Sequence, residues 1–346
     1  MSTELFQLGC SFLFSVVTDR QYKYFLTEIK KCRRCQILDL YQRVELRYLK
    51  YAQSIGNNLK SGNSHFNRIM DSGDVFNITP QREDGRFCVL QITDTHLFED
   101  ENGTLLGIKT RDSFQAVLDA VKAEAKSVDF VVVTGDISQD YSAQSYIRFA
   151  EMVSCFSVPV FFLPGNHDDG PLEYRMFGNL GVSTSRHVIC GSWQFVFLNS
   201  EVYAQAHGWV EREELELLQE AVMRYPDKNT VALIHHLPLL VGSAWLDTQT
   251  LHNQDEFRAF LRHMRTVKLV LSGHVHQEID EMRCNIRYLA TPSTSIQFMP
   301  GSQDFELDTK APGWRYLTFN SDGSFESSVH RLGDNRFSPD FNARGY

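Results

Sequence analysis

Residues that can bind metal ions follow five of the short apolar segments in this chain. The apolar segments are "FCVLQI", "DFVVVT", "VPVFFLP", "TVALI" and "VKLVLS", and the polar groups after them are "TDTH", "GD", "GNH", "HH" and "GHVH". These groups supply Asp94, His96, Asp136, Asn166, His167, His235, His236, His274 and His276. Ligands of open α/β folds bind at the carboxyl ends of the strands, so we expect these side chains to converge in one crevice.

The donor types indicate divalent cations. Carboxylate, imidazole and amide oxygen donors suit iron, manganese or zinc, whereas a closed structural zinc site would need thiolates. Asp94 and His96 are two residues apart, as are His274 and His276, so each pair would project to one side if extended. Two metals about 3.5 to 4 Å apart can clamp a phosphoryl group, activate a hydroxide and stabilise the leaving oxygen. Such a centre needs a bridging ligand, and an aspartate has the two oxygens for it.

Each polar residue taken alone could be an ordinary group at the entrance to a loop. Five such groups after successive predicted strands favour one shared site instead. Asp168 and Asp169 could also bind metal, but we expect them to bond a neighbouring histidine or to cap the next helix. His207, His252 and His263 have no ligand-like neighbours in the sequence, so we interpret them as ordinary histidines.

Strands and helices alternate from residue 87 onward. Helical spacing of apolar residues marks "SFQAVLDAVKAEAK", "AQSYIRFAEMV" and "EREELELLQEAVM", and "WQFVFL" is a further buried strand with Trp193, Phe195 and Phe197 in the core. After residue 286 the segments "RYLA", "WRYLTF" and "FESSVHR" resemble short strands. This order predicts an α/β sandwich whose sheets are covered by helices.

Residues 1–69 do not follow this alternation. They contain one possible helix near "QILDLYQRVELRYLKYAQ" and a polar linker, "GNNLKSGNS". One hypothesis is a small accessory helical segment. The other, which we favour, is that translation begins at Met70 and the preceding residues are not made, because "MDSGDVFNITPQREDGRFCVLQI" leads directly into the first strand. The predicted domain therefore covers residues 70–346.

Composition limits the partners and the compartment. The chain has 346 residues with 34 basic and 43 acidic side chains, a net charge of −9, which argues against a nucleic-acid partner that needs a basic face. Seven scattered cysteines, including a lone Cys32–Cys35 pair, predict reduced thiols in the cytoplasm. The first 20 residues lack the features of a signal peptide, and no apolar run is long enough to span a membrane.

The motifs resemble those of the calcineurin-like metallophosphoesterases. The family blocks D-x-H, G-D, G-N-H-D/E, a histidine block and G-H-x-H occur in order over about residues 87–335. The resemblance implies a four-layer α/β/β/α sandwich. Within the family the sequence looks most like bacterial class III 3',5'-cyclic AMP phosphodiesterases, through stretches such as "LQITDTHLF", "HHLPLLVGSAWLD" and "LATPSTSIQF".

The resemblance also implies a role for each site residue. One metal ion would be held by Asp94, His96, Asp136 and His276, and the second by Asp136, Asn166, His235 and His274. Alignment of the downstream "LPLLVG" favours His235 over His236. The catalytic residues would be Asp136, as the bridge, and His167, as a phosphate contact and proton donor. The substrate-binding set would be His96, Asp136, Asn166, His167, His235 and His276.

The expected activity is hydrolysis of 3',5'-cyclic AMP to 5'-AMP by attack of a dimetal-bound hydroxide, with iron or manganese as the metals. The alternative is the same chemistry on a glycerophosphodiester, a 2',3'-cyclic nucleotide or a phosphomonoester, because the walls of the pocket decide specificity. A scaffold that had lost the chemistry would have broken ligand positions, whereas this sequence has the full set. The sequence does not predict an oligomeric state.

Overall fold

The computed structural model describes residues 75–334 and 336–345. The helix and linker predicted in residues 1–69, the hypotheses about that segment and the Cys32–Cys35 pair all lie outside the described residues. In the described part, no helix is both long and apolar enough to cross a membrane.

Fourteen strands and six helices make up the described structure. In chain order they are β1 (Phe76–Ile78), β2 (Phe87–Ile92), β3 (Thr104–Leu105), β4 (Ile108–Lys109), α1 (Thr110–Ala123), β5 (Phe130–Val133), α2 (Ala143–Val153), β6 (Val160–Phe162), α3 (Gly170–Phe177), β7 (His187–Cys190), β8 (Trp193–Leu198), α4 (Arg212–Arg224), β9 (Asn229–Ile234), α5 (Ala244–Asp247), α6 (Gln254–Arg262), β10 (Val267–Ser272), β11 (Ile279–Arg283), β12 (Ile286–Ala290), β13 (Gly313–Phe319) and β14 (Phe325–Arg331).

The first sheet has five strands in the order β14-β13-β2-β5-β6. β2, β5 and β6 run parallel, and β13 joins β2 in antiparallel register. Helices α1, α2 and α3 cover its outer face, where Phe114 and Phe149 stack with ring centroids 5.8 Å apart. The helical spacing of α1 places Phe114, Val117 and Val121 on its buried side, as predicted from the sequence.

The second sheet has seven strands in the order β1-β7-β8-β9-β10-β12-β11. Its centre is parallel from β8 to β12, while β7 and β11 pair in antiparallel register. Helices α4, α5 and α6 cover the outer face through residues such as Leu218, Leu246 and Phe257. The parallel centre is buried on both faces, which explains why four consecutive apolar residues follow the threonine of "TVALI".

The two sheets pack face to face through an aromatic layer. In β2, Phe87 and Val89 point into this layer while Cys88 and Leu90 point toward the helices, as the two-residue period of a strand requires. Trp193, Phe195 and Phe197 enter the layer from β8 and are fully buried, so their prediction as strand core is confirmed. Each such side chain contributes about 1.5–3 kcal/mol through burial. The four-layer α/β/β/α sandwich is therefore confirmed.

Several predicted boundaries match the structure, and a few elements were not predicted. α2, β8 and β14 have the predicted bounds, whereas α1 begins three residues earlier than "SFQAVLDAVKAEAK". Helix α3 was not predicted because, of its eight residues, only Gly170, Glu173 and Phe177 are buried, which gives no apolar stripe. Strand β7 and the two-residue strands β3 and β4 were too short to be distinguished from loops.

Candidate metal centre

Seven of the predicted site residues meet where β2, β5, β6, β9 and β10 end. All seven are buried: Asp94, His96, Asp136, Asn166, His235, His274 and His276. Two groups have potential metal-binding atoms within 4.8 Å of one another; the first is Asp94, His96, Asp136 and His276, and the second is His235, His236 and His274. The expectation that the strand ends converge is therefore confirmed.

The first group is held tightly around two imidazoles. The Nε2 atoms of His96 and His276 lie 3.1 Å apart. His276 Nε2 is 3.4 Å from Asp94 Oδ1, and His96 Nε2 is 3.8 Å from Asp136 Oδ2. Four donor side chains thus lie close together, and two of them are aspartates.

Asp136 and Asn166 connect the first group to the second. Asp136 Oδ2 lies 3.3 Å from His235 Nε2, so this carboxylate faces both groups. The side-chain oxygen of Asn166 lies 3.1 Å from His235 Nε2 and 2.9 Å from His274 Nδ1. The arrangement offers a second set of donors that shares Asp136 with the first.

Backbone carbonyls fix the orientation of three histidine rings. His235 Nδ1 lies 2.7 Å from the Thr134 carbonyl, and His276 Nδ1 lies 2.9 Å from the Ile296 carbonyl. In His274 the other ring nitrogen makes this contact, since Nε2 lies 2.9 Å from the Gln249 carbonyl. A carbonyl only accepts hydrogen bonds, so each outer nitrogen carries a proton, and the inner nitrogen is the one that presents a lone pair when the ring is neutral. Converging lone pairs and carboxylates fit divalent cations.

His235 and His236 face different surroundings although they are adjacent. His236 Nδ1 lies 2.8 Å from Ser200 Oγ, and its Nε2 lies 3.3 Å from the Ala206 carbonyl. Only His235 directs a ring nitrogen at both Asp136 and Asn166. Of these two histidines, His235 is thus the one with a ring nitrogen beside the carboxylate that faces both groups.

Five residues of the cluster have left-handed backbone conformations. The φ angles are 54° at Asp94, 47° at His96, 52° at Asp136, 68° at His274 and 48° at His276. Side chains disfavour this region, so the surrounding structure must hold these residues in place. At Asp94, the Ser293 hydroxyl donates to the backbone carbonyl at 2.7 Å. Asp94 and His96 are thus not extended; both have a left-handed backbone, with Thr95 between them.

Charges within the cluster are strongly coupled. Burial acts to raise the pKa of Asp136, but His235, His167 and His96 outweigh burial and hold it well below its usual value. Burial opposes the charged form of His235, yet Asp136 raises the pKa of this histidine to about 9. Burial and His235 lower the pKa of His274 to about 3. The ion pair of His235 and Asp136 is one that a metal cation would replace, with release of the proton.

The residues after Asn166 support the loops. Asp168 is buried and accepts hydrogen bonds from the backbone N–H groups of Gly165 and Ser138 at 2.9 Å and of Ile137 at 3.2 Å. The prediction that Asp168 bonds a histidine or caps a helix was therefore wrong; it ties together the loops after β5 and β6. Asp169 does cap α3, with Oδ1 accepting from Leu172 N at 3.0 Å.

His167 lies at the rim of the cluster. Its backbone N–H donates to Asp136 Oδ1 at 2.9 Å, and its ring centroid is 5.2 Å from that of His96. Its side chain is partly exposed, and burial lowers its pKa while Asp136 opposes that effect. Two other histidines, His207 and His252, stack with centroids 3.8 Å apart outside both metal-binding groups.

Comparisons with known proteins agree with this geometry. A profile described as calcineurin-like phosphoesterase matches residues 88–278. The 3',5'-cyclic adenosine monophosphate phosphodiesterase CpdA of Escherichia coli strain K12 is 42% identical over 268 residues, which covers 77% of this chain and 98% of the relative. The enzyme of the same name from Vibrio vulnificus strain CMCP6 is 44% identical over 259 residues, covering 75% of this chain and 94% of the relative.

A solved structure with a similar fold also matches this chain. The structure of GAP50, the anchor in the inner membrane complex of Plasmodium, has a TM-score of 0.50 and 12% sequence identity, covering 73% of this chain and 86% of that chain. At this identity the similarity shows the fold alone. The profile covers more than half of the chain, and the relatives are similar over almost their whole length. The chain therefore belongs to the calcineurin-like phosphoesterase family.

Proposed function

We propose that this protein is a metal-dependent phosphodiesterase that hydrolyses 3',5'-cyclic AMP to 5'-AMP. The main support for this proposal is the position of Asp136, whose carboxylate faces His96 in one donor group and His235 in the other. Relatives 42% and 44% identical to this chain bear the name of this activity, and the similarity covers nearly all of their length.

The ligand assignment follows the two donor groups. The first metal ion would be held by Asp94, His96, Asp136 and His276. The second would be held by Asp136, Asn166, His235 and His274, with Asp136 shared. His236 is omitted because both of its ring nitrogens contact other groups, Ser200 and the Ala206 carbonyl. The donor set of oxygen and imidazole nitrogen suits iron or manganese, and these are the metals that we propose.

A pair of bound cations supplies Lewis-acid stabilisation of a phosphoryl group and lowers the pKa of water. The substrate phosphate would lie against His96, Asn166, His235 and His276, whose positions are fixed by buried bonds. The hydrogen bonds that His235 and His276 donate to the Thr134 and Ile296 carbonyls keep the rings from rotating, so the site is organised before the substrate arrives.

His167 is the proposed proton donor to the leaving 3' oxygen. Its main-chain bond to Asp136 Oδ1 places it beside the shared carboxylate, and its partly exposed side chain lies at the rim where a substrate enters. Burial favours the neutral imidazole, whereas a bound phosphodiester adds a negative charge that favours the protonated form. His167 would then act as a general acid.

We also propose a cytoplasmic location, where a cyclic nucleotide second messenger is found. Four cysteines in the described residues, Cys88, Cys155, Cys190 and Cys284, are free thiols, and two of them are exposed. Exposed free thiols are typical of a reducing compartment.

The test is product analysis with the full chain loaded separately with iron and manganese. The substrates are 3',5'-cyclic AMP, 2',3'-cyclic AMP, a glycerophosphodiester and a phosphomonoester, and chromatography identifies the products. We expect preferential, metal-dependent conversion of 3',5'-cyclic AMP to 5'-AMP. Preference for another ester would overturn the proposed substrate, and no turnover of any ester with both metals bound would overturn the proposed activity.

A further inference from the structure

A glutamine interrupts the apolar layer between the two sheets, directly below the metal centre. In β2 the residues that face this layer are Phe87, Val89 and then Gln91, by the two-residue period of the strand. Gln91 is fully buried. A buried amide is costly unless its hydrogen bonds are made, so a glutamine here calls for a specific set of partners.

The partners of Gln91 belong to both sheets. Its Nε2 donates to Thr134 Oγ1 at 2.9 Å, in the first sheet, and to the Ser272 carbonyl at 3.0 Å, in the second sheet. Its Oε1 accepts from Thr291 Oγ1 at 2.5 Å, just after β12 of the second sheet. One side chain thus bonds the ends of three strands.

Two of these strand ends carry proposed metal ligands. Thr134 is followed by Gly135 and Asp136, and Ser272 is followed by Gly273 and His274. The Thr134 carbonyl also lies 2.7 Å from Nδ1 of His235. The amide of Gln91 therefore spans the gap between the strand that presents the shared carboxylate and the strand that presents two imidazoles.

A buried arginine fixes which way the amide points. Arg315, next to Gln91 on β13, donates through Nε to Thr291 Oγ1 at 2.8 Å and through its NH2 group to the Ala290 carbonyl at 2.7 Å. Burial lowers its pKa only to about 10, so it remains a cation at neutral pH. Arginine can only donate, so the hydroxyl hydrogen of Thr291 is directed to Gln91 Oε1, and Gln91 Nε2 must face Thr134 and Ser272.

We propose that Gln91 is a positioning residue that sets the separation of the two sheets at the metal centre, and so the fit of the second metal ion. This inference rests on the two-metal centre of the proposed function. Gln91 touches no proposed ligand side chain in this network; it acts through the backbone positions that precede Asp136 and His274. Loss of such supporting bonds typically weakens metal binding by about 10- to 100-fold.

A second buried glutamine provides a matched control. Gln194 on β8 is also fully buried, and its amide bonds Thr230 Oγ1 at 2.9 Å and His187 Nε2 at 2.9 Å, both within the seven-stranded sheet. Its Nε2 also donates to the Tyr225 carbonyl, after α4, at 3.4 Å. These partners lie on β7, at the start of β9 and after α4, away from the strand ends that carry the ligands. Methionine has a similar volume to glutamine, so Gln91→Met and Gln194→Met make the same change in two places.

The experiment titrates the metal-free full chain and both variants with manganese, with electron paramagnetic resonance to follow the magnetic coupling of the two ions. We expect Gln91→Met to bind the second ion at least ~10-fold more weakly, with a weaker coupled signal, while Gln194→Met behaves as wild type. If wild type binds two ions and Gln91→Met binds them equally well with the same signal, the inference is overturned. If wild type binds only one ion, the proposed two-metal centre itself fails.

A variant that keeps the glutamine covers the case in which Gln91→Met does not fold. Thr291→Val preserves shape but removes the hydroxyl that joins Arg315 to Gln91. We expect a several-fold weaker second site by the same titration and spectrum. Unchanged binding and coupling in Thr291→Val would likewise overturn the inference.

Discussion

Nε2 of His235 lies 3.3 Å from Oδ2 of Asp136, in the interior of the protein. This contact joins a residue after β9 of the seven-stranded sheet to a residue after β5 of the five-stranded sheet. The adjacent His236 is bonded instead to Ser200 and Ala206. The two neighbouring histidines should therefore differ sharply in function.

We predict that His235→Ala abolishes binding of the second metal ion, because it removes a ring that faces both Asp136 and Asn166. Metal content should fall from two ions per chain toward one, and turnover should fall at least ~100-fold. His236→Asn is the comparison, since it should lower stability while both ions stay bound. Elemental analysis and cyclic AMP hydrolysis of the purified variants measure these effects. If His236→Asn lost the second ion while His235→Ala kept it, His236 would be the ligand.

We predict that His167→Ala lowers turnover by about 10²–10⁴-fold while metal content is unchanged. His167 donates a hydrogen bond to the shared carboxylate through its backbone N–H, which alanine retains. The surface residue His263 gives a control, and His263→Ala should keep wild-type turnover. Rate measurements and elemental analysis on the same preparations separate the two effects. Unchanged turnover in His167→Ala would remove this residue from the mechanism.

We predict that a methyl group at Gly165 or Gly273 disrupts the metal centre. A Cβ at Gly165 would lie 2.2 Å from Asp136 Oδ1, and a Cβ at Gly273 would lie 2.7 Å from Asp94 Oδ2. Each alanine variant should lose about 1–3 kcal/mol of unfolding free energy, and each should bind manganese more weakly. Gly333→Ala is the control, because no atom lies within 4 Å of its Cβ position. Urea unfolding and manganese titration test this, and wild-type binding by both site variants would contradict it.

We predict that Glu201 makes the fold less stable as the pH rises. Burial, then the charge of Asp168, raises the pKa of Glu201 from 4.5 to about 8. Between these values the folded state keeps a proton that the unfolded state has lost, so stability falls with increasing pH, by at most about 1.4 kcal/mol per pH unit. Glu201→Gln should therefore gain stability relative to wild type from pH 5 to pH 8. An equal difference between variant and wild type at both pH values, by urea unfolding, would refute this assignment.

The site could be predicted from the sequence because its chemistry is local to strand ends. Asp136 and His274 each follow an apolar run and a glycine, and parallel strands bring such ends together whatever the details of the fold. The left-handed backbone at Asp94 and His96 could not be predicted, because it depends on distant bonds such as that from Ser293. From their two-residue spacing alone, Asp94 and His96 would be predicted to be extended.

Long-range polar contacts account for most of what the sequence did not show. Asp168 was expected to serve a histidine or a helix, yet it bonds the backbone of two loops brought together by β5 and β6. Gln91 was interpreted as part of an apolar strand, and only the packing of the two sheets reveals its partners. Helix α3 has no periodic apolar face, because the acid Glu173 occupies one of its buried positions and Phe177 another.

The most direct test of the account is anomalous diffraction at the manganese edge from crystals of the full chain loaded with manganese. We predict two peaks, one on each side of the Asp136 carboxylate. The first should contact Asp94, His96 and His276, and the second Asn166, His235 and His274. A single peak, or a second peak held by His236 instead of His235, would contradict the proposed centre.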